Sequence, residues 1–195
     1  INERDYPAGG PRLISVAGIH PDMPDYREKL TQIHAMGFKG IKLHPDYQEV
    51  AFDDIRYMRI LDKASELGLF TLTHAGYDPV CPDQTHCTAA RVRRVLEEVA
   101  PRKLILAHMG SNEFYDRSEE LLVGQDVYFD TAYSICHMDR EQLTRMIKDH
   151  GAHRILFGSD APWADQKEAV SILRSLPLTQ DEQEQILWKN AAELL

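Results

Sequence analysis

The 195-residue sequence has few of the features that mark a membrane or secreted protein. No apolar run approaches the roughly 20 residues that a membrane-spanning helix needs, and no signal peptide opens the chain. There are only three cysteines, and their spacing is that of neither a metal finger nor a redox pair. We therefore expect reduced thiols and a cytoplasmic protein without a membrane partner.

Positive charge is also scarce. The chain has 22 lysines and arginines against 31 acidic residues, which gives a formal net charge of -9. Such a surface repels polyanions, and no basic stripe is present that would bind a nucleic acid. We therefore expect no nucleic-acid partner and a small-molecule substrate that is neutral or modestly charged.

The chain lacks a low-complexity segment, a charged linker and any shift in composition that would separate two domains. Hydrophobic residues make up 43% of the sequence and charged residues 27%, so 195 residues can bury a substantial core. We predict a single domain over residues 1–195.

What the sequence does contain is an alternation of short β-type runs with amphipathic helical stretches. The six predicted strands cover residues 13–19, 38–43, 69–73, 104–107, 127–130 and 155–158. The predicted helices cover residues 25–36, 54–67, 89–99, 112–122, 140–150, 165–176 and 180–195. A capping box from Thr179 to Glu182 opens the last helix.

This alternation indicates a parallel sheet, which is either open and doubly wound or closed into a barrel. The segment GIHPD after the first strand is not the glycine-rich loop that binds phosphate in an open dinucleotide-binding sheet. The pattern therefore favours an α/β fold of the (β/α)8 TIM-barrel type. Only six of the eight βα units are visible, so we expect either a barrel without its first two units or an open sheet.

Polar side chains stand where the apolar runs end. LFTLTHAG ends on His74, LILAHMG on His108 and ILFGSDAPW on Asp160. The C-terminal ends of parallel strands converge on one face, so these side chains can meet there. One buried histidine at a strand end is usually satisfied by a backbone hydrogen bond, but three strands that end in histidine or aspartate are typical of a divalent-metal site.

We assign His74 and Asp160 as metal ligands. His108 is either a further ligand or a catalytic group that orients or deprotonates the water. Asp160 can also act as the catalytic base.

Several neighbours are candidates for substrate contact. In GIKLHP, Lys42 and His44 lie on the same side of the strand and should face the barrel interior. His20 ends the first strand as His44 ends the second. Asp130 ends the fifth strand and can pair with Lys42 or contact the substrate. His86 belongs to the 77–87 loop, which is either a lid or an ordinary surface excursion.

The order and spacing of these segments resemble the amidohydrolase superfamily, in its amidohydrolase-related branch (amidohydrolase family 2) of metal-dependent hydrolases with a TIM-barrel fold. The resemblance runs over essentially the whole chain. It is carried by the segments GIHPD, GFKGIKLHPDYQ, THAG, AHMG, YFDTAYS, FGSDAPW and KNAAELL.

This resemblance implies a divalent metal, usually zinc, at the mouth of the barrel. When the strands are numbered as in the full barrel, the family ligands are a His-X-His pair on the first strand, a histidine on the fifth and an aspartate on the eighth. The fifth-strand histidine is similar to His74, and the eighth-strand aspartate is similar to Asp160. His108 then resembles the sixth-strand histidine. The chain departs from the pattern because it opens at Ile1 and has no His-X-His pair. We therefore expect strands three to eight of the barrel.

The resemblance also leaves the number of metal ions open. Lys42 stands on the second visible strand, which corresponds to the fourth strand of the full barrel. Binuclear members of the family can carry a carboxylated lysine on that strand. We expect one ion, and the resemblance also allows a second. Members of the superfamily commonly pair, so a homodimer is also open.

The implied reaction is hydrolysis of an amide, ester or lactone, in which Asp160 accepts a proton from the water and His108 stabilises the oxyanion. Three alternatives stay open. The first is a non-oxidative decarboxylase of the same branch. The second is a TatD-like deoxyribonuclease, against which the acidic charge and Lys42 argue. The third is a catalytically incomplete remnant that acts only as a binding protein.

Overall fold

The computed structural model describes residues 13–195, so the first twelve residues of the predicted domain lie outside the described part. The strands are β1 (Ala17–Gly18), β2 (Gly40–Leu43), β3 (Phe70–Thr73), β4 (Leu104–Leu106), β5 (Tyr128–Asp130) and β6 (Ile155–Leu156). Each lies within the bounds of one predicted strand.

The helices also follow the predicted pattern closely. They are α1 (Tyr26–Ala35), α2 (Ile55–Glu66), α3 (Ala89–Glu98), α4 (Tyr115–Leu122), α5 (Ser134–His137), α6 (Arg140–His150), α7 (Gln166–Ser175), α8 (Gln180–Glu184) and α9 (Asn190–Leu194). A π-helical turn, Gln185–Lys189, joins the last two. No helix within residues 13–195 is both long enough and apolar enough to cross a membrane.

Capping side chains explain where most helices begin. At the residue that precedes each of five helices, a side-chain oxygen accepts a hydrogen bond from a backbone N–H in the first turn of the helix. The caps are Asp54, Thr88, Asp139, Asp165 and Thr179. Thr179 and Glu182 form the predicted capping box.

Two features of the helices differ from the prediction. Helix α4 begins at Tyr115 and not at residue 112, because the backbone of Asn112 pairs with Gly76 in an isolated β-bridge. The short helix α5 was not predicted, because four residues are too few to show a helical period.

The strand order follows the chain from β1 to β6, and every neighbouring pair is parallel. In a doubly wound sheet the order reverses at a switch point. A sequential order with right-handed crossovers keeps all the helices on one face, which is the arrangement of a barrel wall. Within residues 13–195, β1 and β6 are edge strands, so the six strands form an open sector of a barrel.

Apolar side chains cover both faces of this sector. The larger cluster lies between sheet and helices and includes Ile41 and Leu43 of β2. The smaller, inner cluster includes Phe70, Ile105 and Leu156. The register aligns Lys42 with Leu72, which packs against the inner cluster, so Lys42 faces the interior as predicted.

Candidate metal centre

The rings of His74 and His108 meet at the C-terminal ends of β3 and β4. Nδ1 of His74 lies 3.1 Å from Nε2 of His108, and the rings are edge to face with centroids 4.8 Å apart. Both residues are buried. The convergence of parallel strands therefore brings together two side chains that are 34 residues apart in the sequence.

The hydrogen bonds of this pair determine which ring nitrogens carry protons. Nδ1 of His108 lies 2.9 Å from the backbone oxygen of Ala132, which can only accept, so Nδ1 of His108 is protonated. A neutral His108 then accepts at Nε2, and His74 donates from Nδ1. Nε2 of His74 is left with a lone pair.

His74 stays neutral because of its surroundings. Burial and the positive charges that His108, His44 and Lys42 can carry lower its pKa to about 2. Its Nε2 is buried and has no hydrogen-bond partner within the described residues. Neutral imidazole with one nitrogen donating and the other free is the form in which histidine binds a metal.

Three side chains could hold a cation at this point. His44, His74 and Asp78 each present one ligand atom, and these atoms lie within 4.8 Å of one another. The ring of His44 stacks on that of His74 at 4.3 Å, and Nε2 of His44 lies 3.3 Å from Oδ2 of Asp78. Asp78 is oriented by the backbone N–H of Val80, which donates to its Oδ1 at 2.7 Å.

A second buried carboxylate, Asp46, lies beside this group. Its Oδ1 accepts hydrogen bonds from the backbone N–H of His86 at 2.7 Å and from the His86 ring at 3.1 Å. Its Oδ2 is buried, has no partner among the described residues and lies 3.9 Å from Nε2 of His74. The residues fit a divalent cation, because two unpartnered buried atoms of suitable chemistry face each other here.

Asp130 holds the backbone of His108. Its Oδ1 accepts from the N–H groups of His108 at 2.8 Å and Ala132 at 3.1 Å. Burial raises the pKa of Asp130, while the hydrogen bonds from the backbone N–H groups of His108 and Ala132 oppose that shift. His108 has a φ of +59°, a conformation that a non-glycine residue adopts only when its surroundings hold it there.

Lys42 lies on the inner face near Asp130. Burial lowers its pKa, and the negative charges of Asp130 and Asp160 partly oppose this effect. The structure therefore places the predicted residues Lys42 and Asp130 close enough for their charges to interact.

The remaining predicted site residues differ in how far they are buried. His86 is half-buried and bonded to Asp46, beside the centre. His20 is exposed, and its Nδ1 accepts from the backbone N–H of Asp22. Asp160 is exposed and has a φ of +61°. Within residues 13–195, the Asp160 carboxylate has no hydrogen-bond or ion-pair partner, and it is not part of the His44, His74 and Asp78 group.

Sequence reasoning did not identify Asp46 and Asp78 as carboxylates that lie beside His74. Asp46 follows His44 by two residues, so strand-like alternation could have placed both side chains on one side. Asp78 lies in a loop, where no periodic signal predicts the direction of a side chain.

The chain is similar to known proteins in family and in fold. The amidohydrolase family model matches residues 5–195. No curated protein sequence matches the chain significantly.

Solved structures show the same fold. An uncharacterized TIM-barrel protein from Bordetella bronchiseptica is 19% identical with a TM-score of 0.80, and the match covers 94% of this chain and 66% of that one. The 5-carboxyvanillate decarboxylase from Sphingomonas paucimobilis is 14% identical with a TM-score of 0.74 and the same coverage, 94% and 66%. A probable 2-pyrone-4,6-dicarboxylic acid hydrolase from Acinetobacter baumannii is 18% identical with a TM-score of 0.69, covering 94% and 73%.

These identities show the TIM-barrel fold and nothing finer. The chain spans 66% of the length of the first two proteins, so it corresponds to part of their barrels.

Proposed function

Because this chain belongs to the amidohydrolase family, we propose that it is a metal-dependent hydrolase that cleaves an amide, ester or lactone bond in a small molecule. The observation that supports this most directly is the buried lone pair on Nε2 of His74, at the mouth of the barrel sector. A divalent metal, with zinc as the first candidate, would act there as a Lewis acid on a carbonyl group and on a water molecule.

The protein's own residues would position and move protons around this point. His108 accepts from Nδ1 of His74 and so leaves the lone pair of His74 on Nε2. Asp130 in turn holds the backbone of His108. In this proposal the exposed Asp160 carboxylate takes the proton from the attacking water, and His108 stabilises the developing negative charge.

His108 as an additional metal ligand stays a prediction. In the structure Nδ1 of His108 is bonded to Ala132 and Nε2 to His74, so both nitrogens are occupied. Ligation by His108 would require one of these bonds to break.

Non-oxidative decarboxylation is the second candidate function. The observation that favours it is Lys42, a cationic side chain on the inner face that could bind the carboxylate of an acid. Likeness to the Sphingomonas decarboxylase supports the same possibility through the fold.

The proposal is tested by assaying the whole chain, metal-free and loaded with zinc or manganese, against a panel of esters, lactones, amides and aromatic acids. Chelator-sensitive hydrolysis that is lost in His74→Gln would support the hydrolase. Release of carbon dioxide without hydrolysis would support the decarboxylase, and cleavage of single-stranded DNA would support the nuclease. No turnover by a metal-loaded chain would contradict an enzyme and favour a binding protein.

We further propose that this protein acts in the cytoplasm on a small molecule and has no nucleic-acid partner. The three cysteines are all unpaired, as is usual in a reducing compartment. The net charge of -9 disfavours a polyanionic substrate.

A further inference from the structure

We infer that Gln48 is a positioning residue, whose side-chain amide holds the ends of β1 and β2 apart and so sets where His20 and His44 lie at the mouth of the barrel sector. The inference rests on the proposed function, because these two histidines are its predicted substrate contacts. Gln48 ends the segment GIKLHPDYQ, and sequence reasoning assigned it no role.

The amide of Gln48 bonds to both strand ends. Its Nε2 donates to the backbone oxygen of Ile19, the residue after β1, at 2.8 Å. Its Oε1 accepts from the backbone N–H of His44, the residue after β2, at 3.1 Å. Because the Ile19 oxygen can only accept and the His44 N–H can only donate, only one of the two orientations of the amide satisfies both. Backbone groups therefore fix the orientation of this side chain.

The ladder between β2 and β3 shows how two parallel strands of this sheet end when no side chain lies between them. Its last register pair is Leu43 and Thr73. The next N–H along the chain, that of His74, donates directly to the oxygen of Leu43 at 3.1 Å. This direct bond keeps the two strands paired up to the mouth.

The ladder between β1 and β2 ends differently. Its last register pair is Gly18 and Lys42. Successive residues of a strand bond to opposite neighbours, so the next bond from β2 to β1 would run from the N–H of His44 to the oxygen of Ile19. The amide of Gln48 takes the place of that bond and joins both groups. Two bonds through an amide span more distance than one direct bond, so β1 and β2 separate at the mouth.

A buried tyrosine holds the amide in this position. Oε1 of Gln48 also accepts from the hydroxyl group of Tyr57 on α2, at 2.8 Å, and Tyr57 is fully buried. The backbone N–H of Gln48 donates to the oxygen of His44 at 3.0 Å, which turns the chain back onto the end of β2. Both lone pairs of Oε1 are therefore used, and the amide is held by a helix as well as by the two strand ends.

Loss of this amide would bring the two strand ends together. Without it, the N–H of His44 and the oxygen of Ile19 lose their partners in a partly buried position, which costs free energy. A direct bond between these two groups would remove that cost. Closing it would draw His20, the residue after Ile19, toward His44 and narrow the mouth between them.

The experiment records the imidazole resonances of the whole metal-free chain by NMR. Gln48→Met keeps the length of the side chain and removes its hydrogen bonds. We expect the resonances of His20 and His44 to shift, whereas those of the distant, buried His150 stay in place. His20 is the more informative of the two, because the change reaches it through the backbone of the preceding residue. The matched control is Gln32→Met, at an exposed glutamine of α1, which should shift neither histidine.

Two further variants separate positioning from stability. Tyr57→Phe removes one bond to the amide and should lower the free energy of unfolding. It leaves the amide between Ile19 and His44, so the resonances of His20 should stay in place. Gln48→Glu keeps both bonds that the side chain accepts and loses the one that it donates to Ile19, so it should shift His20. Circular dichroism checks that the variants fold, and Gln48→Glu decides alone if Gln48→Met does not.

A shift of His20 in the Gln48 variants but not in Tyr57→Phe supports the inference. Lower stability with His20 unshifted in the Gln48 variants overturns it, because Gln48 would then have a structural role only. An equal shift in Tyr57→Phe overturns it as well, because the loss of any bond in this region would then explain the result. These spectra do not depend on turnover, so an inactive metal-loaded chain that shows the shift contradicts the proposed enzyme and leaves the positioning by Gln48 standing.

Discussion

At the scale of single residues, one carbonyl group determines the chemistry of the candidate centre. The backbone oxygen of Ala132 can only accept, and this fixes the tautomers of His108 and then of His74. The free nitrogen of His74 is therefore set by a residue that lies 58 positions away in the sequence. This dependence makes His108 an orienting group whether or not it also takes part in the reaction.

His108→Phe tests that dependence. The substitution removes the acceptor of the His74 Nδ1 proton, so the ring can rotate or change tautomer. We expect zinc affinity to fall by about 10- to 100-fold, as measured by calorimetry. The exposed His153→Phe is the control. Equal zinc affinity in His108→Phe and the wild type would contradict the assigned tautomers.

A different histidine, His150, has a structural role. Its Nδ1 accepts from the N–H of Gly124 at 3.1 Å, and its Nε2 donates to the oxygen of Val127 at 2.8 Å. The ring stacks on Phe129 with centroids 4.2 Å apart. Burial lowers the pKa of His150 to about 4, with the charge of Arg154 contributing in the same direction.

The lowered pKa of His150 predicts a loss of stability in mild acid. The unfolded chain binds a proton near pH 6.5, whereas the folded protein does not until about pH 4. The contribution of His150 is therefore complete above pH 6.5 and is lost as the pH falls toward 4. Urea unfolding should show a smaller difference in stability between pH 7 and pH 5 in His150→Gln than in the wild type. His153→Gln should keep the wild-type difference, and an equal difference in His150→Gln would exclude His150 as its source.

At the scale of elements, the loops after β3 and β4 are held in contact by their backbones. Gly76 has a φ of +90° and pairs with Asn112 in the isolated bridge. A β-carbon on Gly76 would lie 2.1 Å from the backbone nitrogen of Asn112. Because these loops carry Asp78 and follow His74 and His108, close backbone contact helps to hold the centre together.

Gly76→Ala should therefore lower the free energy of unfolding by more than the strain of a positive φ alone would. We expect a loss of roughly 2 to 4 kcal/mol in the free energy of unfolding, from strain together with a backbone clash. Gly124→Ala is the matched control, because Gly124 has a φ of +80° and open space around a β-carbon. Gly124→Ala should lower the free energy of unfolding by only about 1 kcal/mol. Equal losses, measured by urea unfolding, would show that the backbone contact is unimportant.

Helix α6 depends on its N-terminal cap. Oδ1 of Asp139 accepts from the N–H groups of Glu141 and Gln142 at 3.0 and 2.9 Å. Asp139→Ala should lower the free energy of unfolding by about 1 kcal/mol, and Asp139→Asn should lose less because its amide oxygen still accepts. Thermal unfolding followed by circular dichroism measures both. An Asn variant as unstable as the Ala variant would argue against capping as the cause.

At the scale of the whole molecule, one apolar cluster runs along the outer face of the sheet and includes side chains from helices far apart in sequence. Leu30 of α1 and Leu173 of α7 are both fully buried in it. A core that is continuous from the first described helix to one near the C-terminus favours cooperative unfolding. The sequence-based prediction of a single domain can be tested on this basis.

Leu30→Ala and Leu173→Ala should each lower the free energy of unfolding by about 2 to 5 kcal/mol. Both should shift the same single transition, seen at coincident midpoints in far-UV and near-UV circular dichroism. Met36→Ala, at a side chain that is 73% exposed, should have little effect. Two separate transitions, each shifted by only one of the variants, would contradict a single domain.

Most of the fold could be predicted from local patterns. The six strands lie within their predicted bounds, α6 has its predicted residues, and Thr179 caps α8, because hydrophobic period and capping chemistry act over a few residues. The same reasoning placed Lys42 on the inner face of the sheet. It could not place α4, whose start depends on a bridge between Asn112 and a distant glycine.

The sequence by itself therefore determined the elements, the amidohydrolase family and the strand ends that carry His74, His108 and Asp160. Only the tertiary structure decided that Asp46, Asp78 and His44 surround the free nitrogen of His74, while Asp160 stays exposed in another loop. The physical reason is the separation in sequence of the residues that determine each feature. Periodicity and caps are set by neighbours in the chain, whereas ring tautomers, buried unpaired atoms and loop side chains are set by contacts between segments far apart in it.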